Sequence, residues 1–150
     1  MGTADLILCA GLALLCGWNW PPLRLLAGLL VLAAASTVFT NALDPIDRAF
    51  FFIPFDVACG VIAILIWWHK RESAALLFGL GIIGQMMIHL AVFMSPHTPA
   101  QKDFYIAALN VLFLAQCLIT GGLGFARLHR DTLGRGRSGH FGRTARHGGD

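Results

Sequence analysis

The stretch Phe50–Trp68 reads FFFIPFDVACGVIAILIWW, which is 19 consecutive residues with one charged side chain, Asp56. An α-helix rises about 1.5 Å per residue and the hydrocarbon core of a bilayer is about 30 Å thick, so about 20 apolar residues cross it. The length and composition of this stretch therefore predict a transmembrane helix.

Four further apolar segments lie on either side of this stretch: Asp5–Gly17, Leu23–Thr40, Ala74–Met94 and Phe104–Ala126. Lipid offers no hydrogen-bond partner to backbone groups, and none of the segments alternates as a barrel strand does, so each is predicted to be helical. The first segment reaches spanning length only if residues 1–18 are counted whole. We therefore predict an all-α membrane bundle of five transmembrane helices, with four spans plus a shallow N-terminal helix as the alternative.

The composition of the whole chain agrees with this prediction. Hydrophobic residues make up 57% of the 150 residues, charged residues make up 13%, and the mean hydropathy is +0.70. A soluble domain is about 45–50% apolar and about 25% charged. These values exclude a soluble enzyme, a disordered chain and a disulfide-stapled secreted domain.

The basic charge of the chain belongs to its last 24 residues. Residues 1–126 carry five basic and six acidic side chains (net −1), whereas residues 127–150 carry six arginines and two acidic residues (net +4). We therefore divide the chain into a transmembrane bundle, 1–126, and a flexible basic tail, 127–150, which is too polar and glycine-rich to fold alone. We expect the tail arginines to contact anionic lipid and not nucleic acid, since Phe141 is the one aromatic residue there. They are Arg127, Arg130, Arg135, Arg137, Arg143 and Arg146.

Basic residues also predict the orientation of the chain. Arg24 lies in the first connection and Lys70 and Arg71 in the third, whereas each base of the second and fourth connections has acidic neighbours. Because Lys and Arg concentrate in cytoplasmic loops, we predict a bacterial inner-membrane protein with a cytoplasmic C-terminus and a periplasmic N-terminus.

Two acidic residues near the ends of the segments, Glu72 and Asp131, are predicted to be exposed to solvent. The interfacial anchors are predicted to be Trp18, Trp20, Trp67 and Trp68.

Polar residues inside the apolar segments define a predicted intramembrane layer. Asp56, His89 and Asn110 each lie five or six residues from the outer end of their segment, about 7–9 Å deep. The same layer includes Gln85, Ser36 and Thr37. Ionisable residues are costly in lipid, so they mark candidate functional sites. The layer is either a proton or ion relay, because histidine changes charge near neutral pH, or a set of hydrogen bonds that fixes helix packing.

The sequence has no motif that indicates catalysis, metal binding or cofactor binding. There is no nucleotide-binding glycine motif followed by an acidic residue, no P-loop and no nucleophile elbow, so we predict no enzyme. The four cysteines form no CxxC pair, and only His89 lies inside a segment, whereas a haem held by two histidines needs both at one depth. We therefore predict no metal site and no cofactor.

Two runs carry a resemblance to a known group of proteins. DPIDRAFF at Asp44–Phe51, together with Asp56, and YIAALN at Tyr105–Asn110 resemble uncharacterised small multi-pass membrane proteins of bacteriophages and prophages. The small size, the several spans and the basic C-terminus resemble holins in general character, which implies membrane permeabilisation.

Two other functions are alternatives to permeabilisation. The chain is then either a proton- or ion-coupled channel or carrier subunit that uses Asp56 and His89, or an accessory or scaffold subunit. The expected partners are lipid and either a second copy of the chain or other subunits of a membrane complex.

Overall fold

A computed structural model of the chain describes residues 3–40, 43, 45–94 and 98–141. Its five α-helices are α1 (Thr3–Gly17), α2 (Pro21–Thr40), α3 (Pro45–Lys70), α4 (Ser73–Met94) and α5 (Pro99–Phe141), with no strand in the described ranges. The predicted all-helical class is confirmed. Helices α2 to α5 are each long and apolar enough to cross a membrane, and the chain is a multi-pass membrane protein. α1 has 15 residues, or about 22 Å, which is shorter than the hydrocarbon core.

Three of the helices begin at a proline, namely Pro21, Pro45 and Pro99. Proline suits the first position of a helix because its φ is already helical and its missing N–H would have no partner there. As a result α3 and α5 begin five residues before the starts predicted from hydropathy, Phe50 and Phe104. This difference changes the depth of every residue near the start of these two helices.

The start of α5 has a capping box formed by Thr98 and Gln101. The backbone N–H of Thr98 donates to Gln101 Oε1 at 3.0 Å, and the backbone N–H of Gln101 donates to Thr98 Oγ1 at 3.4 Å. These two bonds satisfy donors that a helix start leaves unpaired. The capping box therefore fixes the first turn of α5 well before its apolar segment.

Tryptophans and arginines meet at the connections of one end of the bundle. Arg71 ends α3 in the left-handed conformation, with φ 52°, and its backbone N–H donates to the carbonyl of Trp67 at 2.8 Å. Its guanidinium lies 5.8 Å and 5.7 Å from the ring centroids of Trp67 and Trp68, and that of Arg24 lies 5.5 Å from the ring of Trp18. These are cation–π distances, so three of the four predicted anchor residues each stack with a base.

The helices pack around an interior of small and apolar side chains. α3 packs mainly on α4, α1 packs on α5 and α2, and α4 also packs on α5. Trp20 is half-buried and packs at the edge of this core. The large exposed side chains are mostly Leu, Ile, Val and Phe. The outer surface of the helices is thus apolar, as a lipid-facing surface requires.

Glycines allow α1 and α5 to approach closely. A Cβ added at Gly124 would lie 2.5 Å from the carbonyl oxygen of Cys16, and one at Gly121 would lie 3.2 Å from Cα of Ala13. Small residues at these two positions thus let the backbones of the two helices come together. Gly122 has no such role, because a Cβ there would meet nothing within 4 Å.

α5 continues beyond the predicted boundary at residue 126 and ends at Phe141. Adding residues to a helix that already exists avoids the cost of nucleation, so a segment that cannot fold alone extends the span. Arg130 is exposed on this extension. Two of the predicted lipid-contacting arginines, Arg143 and Arg146, lie outside the described residues, as do the side chains of Arg135 and Arg137.

A partly buried ion pair joins the third connection to α5. Arg127 Nη2 donates to Glu72 Oε1 at 2.8 Å, and Glu72 is only 8% exposed. The prediction that Glu72 is solvated is therefore wrong. The reason is that α5 remains helical past residue 126 and carries Arg127 to the carboxylate. Together with the contact of Gly124 with Cys16, this pair brings the first connection, the third connection and the start of the extension to one end of the bundle.

Candidate functional site

Three helices bring Asp56 on α3, His89 on α4 and Tyr105 on α5 into direct contact. Asp56 Oδ2 lies 3.1 Å from His89 Nε2, and the Tyr105 hydroxyl lies 2.9 Å from His89 Nδ1. The three residues are 5%, 2% and 2% exposed. The predicted proximity of Asp56 and His89 is confirmed, and each imidazole nitrogen faces a group that can hold a proton.

The three residues lie at different distances from the nearby ends of their helices. His89 lies five residues before the end of α4, and Tyr105 lies six residues after the start of α5, or about 7–9 Å from the respective ends. Asp56 lies eleven residues after the start of α3, or about 16 Å. Sequence reasoning missed Tyr105 because a start at Phe104 placed it at the membrane surface.

The imidazole of His89 is enclosed by rings. Phe52 stacks parallel to it, with centroids 6.3 Å apart and an interplanar angle of 5°. Tyr105 meets it at 62° with centroids 5.6 Å apart. These contacts hold the ring plane in one orientation, so that its two nitrogens face α3 and α5.

One oxygen of the Asp56 carboxyl group, Oδ2, is buried without a hydrogen bond to the described part of the chain. The 3.1 Å approach of His89 is within ion-pair distance, but Asp56 Oδ2 has no hydrogen-bond partner among the described residues although it is buried. An unsatisfied polar atom in an apolar interior is costly. The carboxyl is therefore suited to take up a proton or a ligand.

A small cavity of about 70 Å³ adjoins this site. A volume of this size has room for about two to five water molecules. Arg48 also lines the cavity, and its Nε is buried without a hydrogen-bond partner among the described residues. The early start of α3 at Pro45 places Arg48 in the first turn of the helix rather than in the connection before it. The other polar residues that line the cavity are Thr37, Gln85, Asn110 and Gln116.

Gln116 extends the polar interior toward the opposite end of the bundle. Its Nε2 donates to the carbonyl of Phe78 and to Gln85 Oε1, each at 3.4 Å. A Cβ added at Gly81 would lie 2.7 Å from that nitrogen, so glycine leaves room for the amide. Sequence reasoning missed Gln116, although an amide inside an apolar segment was a visible signal.

The remaining predicted members of the layer make no hydrogen bond with Asp56 or His89 in the part of the chain that the structure describes. Ser36 donates to the carbonyl of Leu32 at 2.9 Å, and Thr37 donates to the carbonyl of Ala34 at 2.6 Å. Sequence reasoning placed these hydroxyls in one layer with Asp56 and His89, but each donates instead to a backbone carbonyl of its own helix. Asn110 lines the cavity, but no hydrogen bond joins it to Asp56 or His89.

Asp56, His89 and Tyr105 provide the site with acid–base groups. Within the described ranges, no three His, Cys, Asp or Glu residues are placed to hold a metal ion. No protein-family model matches the chain, and neither a curated protein nor a solved structure matches it. The resemblance to bacteriophage membrane proteins therefore stays a prediction. The buried contacts of Asp56, His89 and Tyr105 are the feature of the chain that bears most directly on its function.

Proposed function

We propose that this chain is a proton-conducting or proton-coupled membrane subunit in which Asp56, His89 and Tyr105 pass a proton between them. The observation that carries the proposal is the unbroken series of contacts from carboxyl to imidazole to phenol, at 3.1 Å and 2.9 Å. The contacts cross three helices inside an otherwise apolar bundle. Intramembrane Asp and His residues are the usual components of proton relays.

The two nitrogens of His89 give the relay its chemistry. When the proton is on Nε2 it faces Asp56, and Nδ1 then accepts a hydrogen bond from Tyr105. When the proton is on Nδ1, that nitrogen donates to the Tyr105 oxygen, and Nε2 is free to take a proton from the carboxyl of Asp56. A histidine can therefore receive a proton at one nitrogen and release another from the opposite nitrogen. For transfer from Asp56 toward Tyr105, the Tyr105 oxygen takes the Nδ1 proton as the hydroxyl gives its own proton to water.

The location of the polar groups favours transport of protons over a wide pore. A pore between copies of the chain needs a polar outer face on each copy. In the described helices the polar layer lies inside the bundle, and outward-facing side chains such as Leu32, Val61, Ile83 and Val111 are apolar. Holin-like permeabilisation thus remains a separate hypothesis. It differs from a proton relay in the size of the solute that crosses the membrane.

The orientation of the protein belongs to the same proposal. Arg24, Lys70, Arg71 and Arg127 are basic residues of one end of the bundle, and the extension of α5 continues from there. Cytoplasmic ends of membrane proteins are rich in Lys and Arg. We therefore propose that this end, with the C-terminus, lies on the cytoplasmic side of a bacterial inner membrane.

The test is proton flux into vesicles that contain the purified protein and a trapped pH-sensitive dye. A potassium gradient with valinomycin supplies the membrane potential. We expect wild-type protein to acidify the lumen, and we expect Asp56→Asn and His89→Gln to reduce the rate about a hundredfold, because acid–base groups contribute factors of that order. Asp103→Asn, an exposed carboxylate on α5, is the matched control and should keep the rate.

Three outcomes separate the hypotheses. Release of a co-trapped large dye at the same rate as protons supports the holin-like hypothesis and contradicts the relay. Wild-type protein that passes neither solute, but that co-purifies with a membrane partner, supports the scaffold hypothesis. Proton flux that persists in Asp56→Asn refutes the relay outright.

A further inference from the structure

A groove runs along the lipid-facing side of the bundle between α3 and α4, with a volume of about 470 Å³. Gly60 and Gly79 are among its lining residues, Asp56 lies at one end and Trp67 lies toward the other. Eleven residues of α3 separate these two, which is about 16 Å. We call this surface the α3–α4 groove. Its length suits an extended hydrocarbon chain rather than a compact solute.

Asp56 gives the α3–α4 groove its chemical character. Among the described residues that line the groove, Asp56 is the one with a charged side chain, and the others are mainly aliphatic. Its Oδ2 is buried and lacks a hydrogen bond. Asp56 also lines the internal cavity, as Arg48 and His89 do, but neither of these two bases lines the groove. Arg48 lies two turns from Asp56 on the same helix, or about 12 Å along the axis. The groove is thus an apolar slot that ends at an acidic group.

We infer that the α3–α4 groove binds a membrane-dissolved amphipath with a single alkyl chain and a cationic ammonium head, which lies against Asp56. The chain would cover the apolar walls, and the head would give the carboxylate a permanent opposite charge, which His89 at 3.1 Å supplies only when its imidazole is protonated. An anionic head would place like charges together in a region of low dielectric, which is strongly unfavourable. This inference concerns binding and does not require that the chain conducts protons.

Trp67 provides a direct measurement of occupancy. In a variant with Trp18, Trp20 and Trp68 changed to Phe, fluorescence comes from Trp67 alone, since the chain has four tryptophans. Bromoundecyltrimethylammonium carries a quenching bromine at the end of its chain, and bromoundecanoate has the same chain length with an anionic head. Both are added to phosphatidylcholine vesicles at equal membrane concentration. We expect saturable quenching by the cation and only weak, linear quenching by the anion.

Two substitutions test the site. Asp56→Asn should weaken the apparent affinity for the cationic probe at least about tenfold, because it removes the partner of a partly buried charge. Val61 is 52% exposed at the groove, so Val61→Phe should obstruct the groove without disturbing the core and should abolish saturation. Val111→Phe, at a position 66% exposed on α5, is the matched control and should bind the probe as wild type does.

The outcomes are decisive in both directions. Equal quenching by cation and anion, or unchanged affinity in Asp56→Asn, would overturn the inference and leave the groove as a surface for ordinary lipid chains. No quenching by either probe, with Val61→Phe disrupting a cross-linked dimer, would overturn it in favour of a second copy of the chain. Charge-selective binding without proton flux refutes the proposed function alone, whereas proton flux without charge-selective binding refutes this inference alone.

Discussion

Replacing Tyr105 by Phe removes one hydroxyl from the centre of the bundle and leaves the ring that packs there. His89 Nδ1 loses the partner that it has at 2.9 Å, in a residue that is only 2% exposed. An unsatisfied buried group of this kind costs about 1–3 kcal/mol. We therefore expect a moderate loss of stability, measured by thermal unfolding in detergent with tryptophan fluorescence.

The same substitution should affect proton transfer far more than stability. Without the hydroxyl, Nδ1 has no group with which to exchange a proton, so flux into vesicles should fall about a hundredfold. Leu26→Ala is the control, because a buried Leu→Ala change costs about 2–5 kcal/mol at a residue of α2 that does not line the cavity. It should retain flux despite a larger loss of stability.

The two readouts can refute the reasoning separately. If Tyr105→Phe unfolds at a lower temperature but keeps its flux, the hydroxyl only fixes helix packing. If Leu26→Ala loses as much flux as Tyr105→Phe, the loss reports instability rather than chemistry. If neither stability nor flux changes in Tyr105→Phe, the contact with His89 has no consequence and the relay is refuted.

Three further substitutions test the packing. Gly124→Ala should destabilise the contact of α1 with α5 by about 1–3 kcal/mol, since the new methyl would meet backbone atoms at 2.5–2.9 Å; thermal unfolding should detect this and show no change in Gly122→Ala. Glu72→Gln should cost about 1–3 kcal/mol through its hydrogen bond with Arg127. A double-mutant cycle with Arg127→Gln should recover a coupling energy, and independent effects would contradict the ion pair. Thr120→Val should be neutral or stabilise by up to about 1 kcal/mol, because the buried Thr120 hydroxyl has no partner among the described residues; a clear loss in unfolding temperature would show that it does.

Hydropathy predicted the helices well because lipid imposes a length and a composition on every span. Counting residues from the ends of the apolar segments predicted the same membrane depth for Asp56 and His89, although the rotation of each helix about its axis was unknown. The same argument missed Tyr105 and Arg48, because the prolines at Pro99 and Pro45 begin their helices outside the apolar segments. Local capping signals, and not hydropathy, fix the depth of residues near a helix start.

Hydrogen-bond partners were less predictable than depth. Ser36 and Thr37 lie close to the expected level, but a hydroxyl on a helix can bond to a carbonyl of its own preceding turn, and only coordinates show which partner it takes. Glu72 was misjudged for a different reason. Its burial depends on Arg127, a residue 55 positions away, and the sequence gives no indication that the two meet.

The contacts that hold the helices together are concentrated at one end of the bundle. Glu72 with Arg127, and Gly124 with Cys16, join helices at the end that carries the arginine–tryptophan stacks. Tyr105 and His89 lie nearer the other end. Helices clamped at one end separate most at the other, so amide hydrogens near Phe52 should exchange with deuterium sooner than those near Ala63. Any opening that admits solvent to the carboxyl of Asp56 would then begin on the face of the membrane opposite the arginines.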